Sequence, residues 1–222
     1  MLRQSAAVYG KLHSLTCQVR TELRLNGESH GRVRQISLSY QKPSQAAVSV
    51  REDGEATQFF CNAKTLAMFS PAHNEYIEQP LPKSAQPEAS VLTQGQSFVG
   101  LLLIKPTGLT ALADGTNVKS LTVGLPKTVD GVETRTITQV TSHADGGTMT
   151  FLVTLGVKDH LVHRFADVIE SPGLPVDGPE KVRRIDNSEV YTNIKIGPVL
   201  SASTFLPPPG AKRITPTENT QK

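Results

Sequence analysis

Leu15-Thr16-Cys17-Gln18-Val19-Arg20-Thr21-Glu22-Leu23-Arg24-Leu25 runs into Asn26-Gly27-Glu28 in near-strict alternation. Leu15, Cys17, Val19, Leu23 and Leu25 share one phase, and Thr16, Gln18, Arg20, Glu22, Arg24 and Asn26 share the other. Successive strand side chains point to opposite faces, so this segment predicts a strand with one apolar face. Asn-Gly tolerates the positive φ of a tight hairpin, and Ile36, Leu38 and Tyr40 continue the apolar phase on a return strand ending at Lys42-Pro43. An antiparallel sheet with one apolar face must cover that face or bind something on it.

Working outward, short strand-like runs recur with turn residues between them: Ala46–Val50, Thr57–Cys61, Thr65–Phe69 and Asn74–Glu78, separated at Asp53-Gly54, Asn62–Lys64 and Ser70–Asn74. The character changes at Pro80. Pro80, Pro82, Pro87 and Pro106 surround the apolar run Phe98–Ile104, with Leu109 and Leu112 after it. Loops and short helices are predicted there, too short to bury themselves and so laid over the sheet. Ala6, Ala7, Tyr9 and Leu12 predict a further short helix over 3–14.

Strands resume near Val118. Thr136–Val140 follows Val129-Asp130-Gly131, and Asp145-Gly146-Gly147 forms a turn. Met149–Leu155 and His160–Phe165 form a hairpin, a Pro/Gly-rich loop spans Ser171–Pro179, and Val182–Ile196 reads as a strand region. The Pro-stiffened stretch Phe205–Lys212 suits a sheet edge, and 215–222 is a polar, disordered tail. The expectation is mainly β: a strongly curved antiparallel half-barrel, an unclosed barrel of roughly ten strands with short helices on its concave face. One domain spans 1–214, with a lid segment at about 84–113.

Composition excludes several function classes. The 222 residues carry a net charge of +3, with 37% hydrophobic residues, 5% aromatics and no Trp. Arg20, Arg24, Arg32, Arg34, Arg183, Arg184, Lys212 and Arg213 are scattered, whereas nucleic-acid binders concentrate such residues in one patch. A solvated outer sheet face is expected, and no nucleic-acid partner. No apolar run is long enough to span a bilayer, so no transmembrane segment is expected. Met1-Leu2-Arg3-Gln4 begins no signal-peptide core, which leaves a cytosolic protein and a mature segment with an added Met both open.

Chemistry-bearing motifs are sparse. His160 and His163 have i, i+3 spacing but are read onto a strand, where they face opposite sides. His13, His30, His73 and His143 stand singly at turns or element ends. Cys17 and Cys61 could form a disulfide, a metal pair or a nucleophile. On strands one and four of a meander they lie about 14 Å apart, beyond the roughly 7 Å a disulfide allows, so buried free thiols are expected. No nucleophile elbow, phosphate loop or His-Glu-x-x-His occurs. No catalytic residue, metal or cofactor is expected, and the protein is read as not an enzyme.

The order of the motifs resembles a known family. Lys64-Thr65-Leu66-Ala67-Met68-Phe69-Ser70-Pro71 with Asn74-Glu75-Tyr76 is similar to the Lys-x-Leu … Asn-x-Tyr stretch of the periplasmic lipoprotein-carrier (LolA/LolB-like) superfamily. Lys42-Pro43 after the second strand fits an earlier position of that pattern, and Val129-Asp130-Gly131, Tyr191-x-Asn193-x-Lys195-Ile196 and Thr204–Lys212 fit later ones. The likeness is greatest to an uncharacterised predicted-periplasmic branch and covers most of 8–214. It implies a periplasmic protein without catalytic residues, holding a lipid or lipoprotein acyl chain between sheet and helices. The carriers also have an Arg just after the second-hairpin Pro that holds the lid. Here Ser44-Gln45-Ala46-Ala47 follows Pro43, so packing alone is expected to hold it.

The apolar cavity is expected to be lined by Leu23, Leu25, Ile36, Leu38, Tyr40, Val48, Val50, Phe59, Met68, Phe98, Leu101 and Leu102. The functional expectation is a carrier or sorting protein of the bacterial envelope. The alternative is a structural or interaction module of the periplasm that binds an envelope protein partner along an open sheet edge.

Overall fold

Asn26 and Gly27, at φ 52° and 86°, close the first hairpin as a two-residue turn with both central residues left-handed. That geometry matches the right-handed twist of the strands it joins. Asp53-Gly54 (φ 51° and 85°) and Asp130-Gly131 (φ 49° and 80°) repeat the device. The computed structural model describes residues 1–81, 86–114, 118–142, 146–175 and 181–215, with the main chain alone described at 30–32, 172–175 and 181–183. His143 and Asp145, residues 82–85 at the start of the lid, 176–179 of the expected loop and 216–222 of the tail lie outside the described residues.

The chain opens with helix α1 (Leu2–Lys11) and continues through strands β1 (Ser14–Leu25), β2 (Glu28–Gln41), β3 (Gln45–Glu52), β4 (Glu55–Asn62), β5 (Thr65–Ser70) and β6 (Glu75–Pro80). Helices α2 (Ala89–Leu92), α3 (Phe98–Ile104) and α4 (Gly108–Asp114) follow, with a 3₁₀ turn at Thr93–Gly95. The second half contributes β7 (Val118–Val123), β8 (Lys127–Val129), β9 (Val132–Ser142), β10 (Thr148–Gly156), β11 (Val162–Pro175), β12 (Lys181–Ile196) and β13 (Lys212–Arg213).

Among the described residues these strands form one 13-stranded sheet in the order β13-β6-β5-β4-β3-β2-β1-β12-β11-β10-β9-β7, with β8 also on β9. β7 and β13 end the sheet unpaired with each other, so the barrel is open. The expected mainly-β, unclosed antiparallel architecture holds, with one addition: β13 runs parallel to β6 over Lys212↔Glu75 and Arg213↔Tyr76.

Two other expectations are corrected. β11 continues to Pro175, so the predicted loop from Ser171 is strand at its start. The ladder with β12 breaks register between Glu170 and Leu174, and Pro172 sits in that break, where no ladder hydrogen bond is required of it. His160 lies in the turn before β11 at φ 57°, not on the strand. His163 is in β11, with its Nε2 2.9 Å from Asp159 Oδ2.

The helices rest on the concave face. α1 buries Leu2, Ser5 and Tyr9, and packs against α3 and α4. Its Ala7 faces solvent, because the inward side follows the three- and four-residue spacing of Leu2, Ser5 and Tyr9. The Tyr9 hydroxyl accepts the Val162 N–H at 3.2 Å. The main core is Leu- and Val-rich and spans sheet and helices, including Leu15, Ile36, Leu38, Leu92, Leu102, Leu109 and Val153. A smaller cluster of Phe60, Ala67 and Phe69 lies on the convex face, joined by Tyr76 and Ala211. A 3₁₀ turn at Ala202–Phe205 lies against β3 and β4, with Phe205 fully buried. Cys17 and Cys61 are free, buried and three strands apart in the sheet order, as expected.

Candidate functional site

Directly paired antiparallel residues share a face of the sheet, so the register sorts the inward side chains into rows across the strands. The first two rows are apolar: Leu15, Tyr40, Ala46, Cys61 and Leu66, then Cys17, Leu38, Val48, Phe59, Met68 and Ile77. The third holds Val19, Ile36, Val50, Thr57 and Tyr191. The fourth turns polar around Thr21, with Arg34, Glu52 and Glu55 on one side and Glu189 on the other. Apolar residues return in the fifth row, Leu23, Asn187, Asp167, Phe151, Gln139 and Leu121, and in the sixth, Leu25, Ile185, Ile169, Met149 and Thr141.

The lid covers most of the first three rows and, towards β9 and β11, reaches Phe165 in the fourth and Gln139 in the fifth. Val91, Leu92, Val99, Leu102, Leu103 and Leu109 are among its buried side chains. A Cβ on Gly95 would lie 3.4 Å from both Ile36 and Val48, so the 3₁₀ turn rests directly on those residues. Phe98 stacks on Phe165, ring centroids 4.0 Å apart. Beyond the lid, Leu23, Leu25, Met149, Phe151, Ile169 and Ile185 stay partly exposed on the concave face. Towards β6, Phe59, Leu66, Met68, Ile77 and Val91 wall an apolar cleft of about 340 Å³.

Between these stretches stands a polar bridge. Arg34 Nη1 donates to Gln96 Oε1 at 2.8 Å, and Arg34 Nε lies 3.3 Å from Glu52 Oε2. Gln96 is held in a left-handed conformation just past the 3₁₀ turn, at φ 49°. Two clefts share Arg34, Glu52 and Gln96 as walls. One, of about 510 Å³, adds Thr21, Leu23 and Asn187. The other, of about 570 Å³, adds Val50, Thr57, Phe59 and Gln94. Both are of a size that accommodates small ligands, roughly 300–1,000 Å³.

The lid is latched as well as packed, which corrects the expectation that packing alone holds it. The Glu189 carboxylate accepts the Phe98 N–H at 2.9 Å, and the Tyr191 hydroxyl accepts the Val99 N–H at 3.1 Å while donating to Glu189. Ser97 caps α3 by accepting the Gly100 N–H at 3.1 Å. These bonds satisfy main-chain donors that a helix start leaves without partners. Burial pushes Glu189 up to about 7, and the charge of Asp167 adds to this, against the pull of the Tyr191 and Phe98 hydrogen bonds. Burial also raises Asp167, with the Asn187 amide opposing it from 3.0 Å.

The twelve residues expected to line one cavity divide into groups. Ile36, Leu38, Tyr40, Val48 and Val50 lie buried beneath the lid, and Leu102 is buried in it. Phe59 and Met68 border the cleft towards β6, where Met68 is 45% exposed. Leu23 and Leu25 lie on the uncovered rows, and Phe98 is on the lid against Phe165. Leu101 does not face the sheet: it is 50% exposed, because a seven-residue helix that buries Val99, Leu102 and Leu103 turns position 101 outward. Sequence reasoning missed Arg34, Gln96, Asp167, Asn187 and Glu189. The available signal was phase: Glu189 and Asn187 stand two and four residues before Tyr191, on the same side of one strand.

Two solved structures share this architecture. Lipoprotein LppX of Mycobacterium tuberculosis superposes with a TM-score of 0.50 at 15% identity, over 90% of this chain and 94% of that one. LprF from Mycobacterium bovis gives 0.50 at 16% identity, over 90% and 93%. LolA superfamily protein NE2245 from Nitrosomonas europaea gives 0.37 at 10% identity, over 92% and 95%. No curated protein matches. A family described as "Predicted periplasmic protein (DUF2092)" matches residues 1–169, in line with the branch and the periplasmic location that the sequence resemblance implied. With three quarters of its length inside that match, the chain belongs to the DUF2092 family of predicted periplasmic proteins.

Proposed function

We propose that this protein binds the apolar chain of a lipid or lipoprotein in the concave face of its sheet, without catalysis, as a carrier or sorting protein of the bacterial envelope. One observation carries the reading: the lid leaves inward-facing apolar side chains uncovered on both sides of the Arg34–Gln96 bridge. Covering such surface is worth about 25 cal/mol per Å², so an acyl chain laid along it gains several kcal/mol. The family's periplasmic description and the sequence resemblance to lipoprotein carriers support the same reading. Among the described residues no helix is long and apolar enough to cross a membrane.

The test is displacement of a fluorescent fatty-acid probe from the purified chain, with native mass spectrometry for retained lipid. Leu25→Glu and Met149→Glu, both at partly exposed positions, are expected to weaken probe binding at least tenfold with little change in melting temperature. Failure of the unmodified protein to bind any probe overturns the reading. The alternative is an interaction module, favoured by β7, which ends the sheet with Leu121 at 42% and Val123 at 55% exposure. A protein that holds no lipid but adds an extended partner segment along β7 fits that alternative.

A further inference from the structure

Two polar side chains of the fifth row, Asp167 on the open floor and Gln139 under α4, carry hydrogen-bond acceptors short of donors. In the fifth row, Asp167 Oδ1 takes the Asn187 amide at 3.0 Å, while Oδ2 has no hydrogen-bond partner among the described residues. Two strands further on in that row, with Phe151 between, Gln139 is 3% exposed and donates its Nε2 to the Leu112 carbonyl. Its Oε1 is buried and has no partner among the described residues. A buried acceptor without a donor is costly, and a ligand that supplies the donor recovers that cost.

Charge acts in the same direction. The fifth and sixth rows hold no Lys or Arg among the described residues. Diagonally across from Asp167 on β12 is Glu189, whose oxygens are already taken by the Phe98 N–H and the Tyr191 hydroxyl. Among the described side chains of these rows, the cation Arg34 stands in the fourth row on the far side of β1, engaged by Gln96 and Glu52. A carboxylate headgroup brought to Asp167 and Gln139 would meet like charge and a second acceptor. An ammonium or hydroxyl group would meet complementary atoms on an apolar floor of Phe151, Met149 and Ile169.

We propose that this groove selects single-chain or acyl amphiphiles whose headgroup donates hydrogen bonds, a primary amine or hydroxyl, over those ending in a carboxylate; this rests on the apolar-chain reading above. Asp167 Oδ2 and Gln139 Oε1 are the recognising acceptors, and Asn187 holds the Asp167 carboxylate in place.

The experiment titrates the full chain at pH 7.5, below micelle concentrations, with decylamine, decyl glucoside and decanoate, followed by calorimetry. Decylamine and decyl glucoside are expected to bind about tenfold or more tightly than decanoate, the scale of one hydrogen bond to a charged group. Asp167→Asn is expected to remove most of the advantage of decylamine, and Gln139→Leu to weaken decyl glucoside. Decanoate binding as tightly as the other two overturns the selectivity but leaves the apolar-chain reading standing. Binding of none of the three overturns that reading, and the selectivity with it. The comparison among ligands uses the unmodified protein, so a variant that fails to fold does not remove the test.

Discussion

The Glu189 carboxylate on β12 receives the main-chain N–H of Phe98, 91 residues earlier, at 2.9 Å, and so ties the start of lid helix α3 to the sheet floor. Burial raises this carboxyl from 4.5 to about 7. The folded chain therefore holds a proton that the unfolded chain has released between those values. The resulting stability is fully present below about pH 4.5 and is lost as pH rises through about 7, a swing of roughly 3 kcal/mol at most. Asp167, also raised by burial, contributes with the same sign. Urea midpoints measured from pH 4.5 to 8 should fall with pH in the native protein and fall less in Glu189→Gln. Parallel slopes in the two proteins would show that another group titrates.

Neighbouring positions on α3 should respond very differently to the same substitution. Leu102 is 1% exposed over the sheet and Leu101 is 50% exposed on the opposite side. Leu102→Asp buries an unpaired carboxylate, and several kcal/mol of destabilisation is expected. Leu101→Asp should lie within about 0.5 kcal/mol of the native protein. Equal melting temperatures for the two variants would mean that the segment does not press on the sheet.

This pair also marks where the sequence could be read and where it could not. The first hairpin was legible because Leu15, Cys17 and Val19 alternate with Gln18 and Arg20, and Asn26-Gly27 names its own turn. Phe98–Ile104 carries no polar residue to mark an outward side, so nothing in it singles out Leu101. On β12 the inward side chains include Asn187 and Glu189, which read as a solvated phase until the register places them on the concave floor. Their partners, the Phe98 N–H and Asp167, are distant in sequence and come together only through strand order. The open part of the concave face, legible at Leu23 and Leu25, was for the same reason missed at Met149, Phe151, Ile169 and Ile185.

Two glycines in helices should respond with opposite signs. A Cβ on Gly100 would lie 2.9 Å from the Leu92 carbonyl oxygen and 3.0 Å from Ser97 Oγ, so α2 and α3 would have to separate. Gly100→Ala is expected to cost about 1–3 kcal/mol. A Cβ on Gly10, in α1, meets nothing within 4 Å. Gly10→Ala should therefore stabilise by up to about 1 kcal/mol through helix propensity. Thermal melts of the two variants check both signs, and a stabilising Gly100→Ala would mean that the α2–α3 junction is looser than its contacts imply.

The convex face offers a test of whether the two cores are energetically separate. Phe205 is fully buried in a turn against β3 and β4, and the chain beyond it reaches β6, where the Ile214 N–H donates to the Tyr76 carbonyl at 2.9 Å. Phe205→Ala removes a large buried ring, and about 3–5 kcal/mol is expected. Two main-chain pairs with β6 are too few to hold that segment alone. Hydrogen exchange at the Ile214 amide should therefore accelerate far more than exchange in α3. The lid packs on the opposite face of the sheet, so Phe205→Ala and Leu102→Asp share no contact and their costs should add to within about 0.5 kcal/mol. Protection at Ile214 that survives Phe205→Ala would show that β13 alone secures the C-terminal segment.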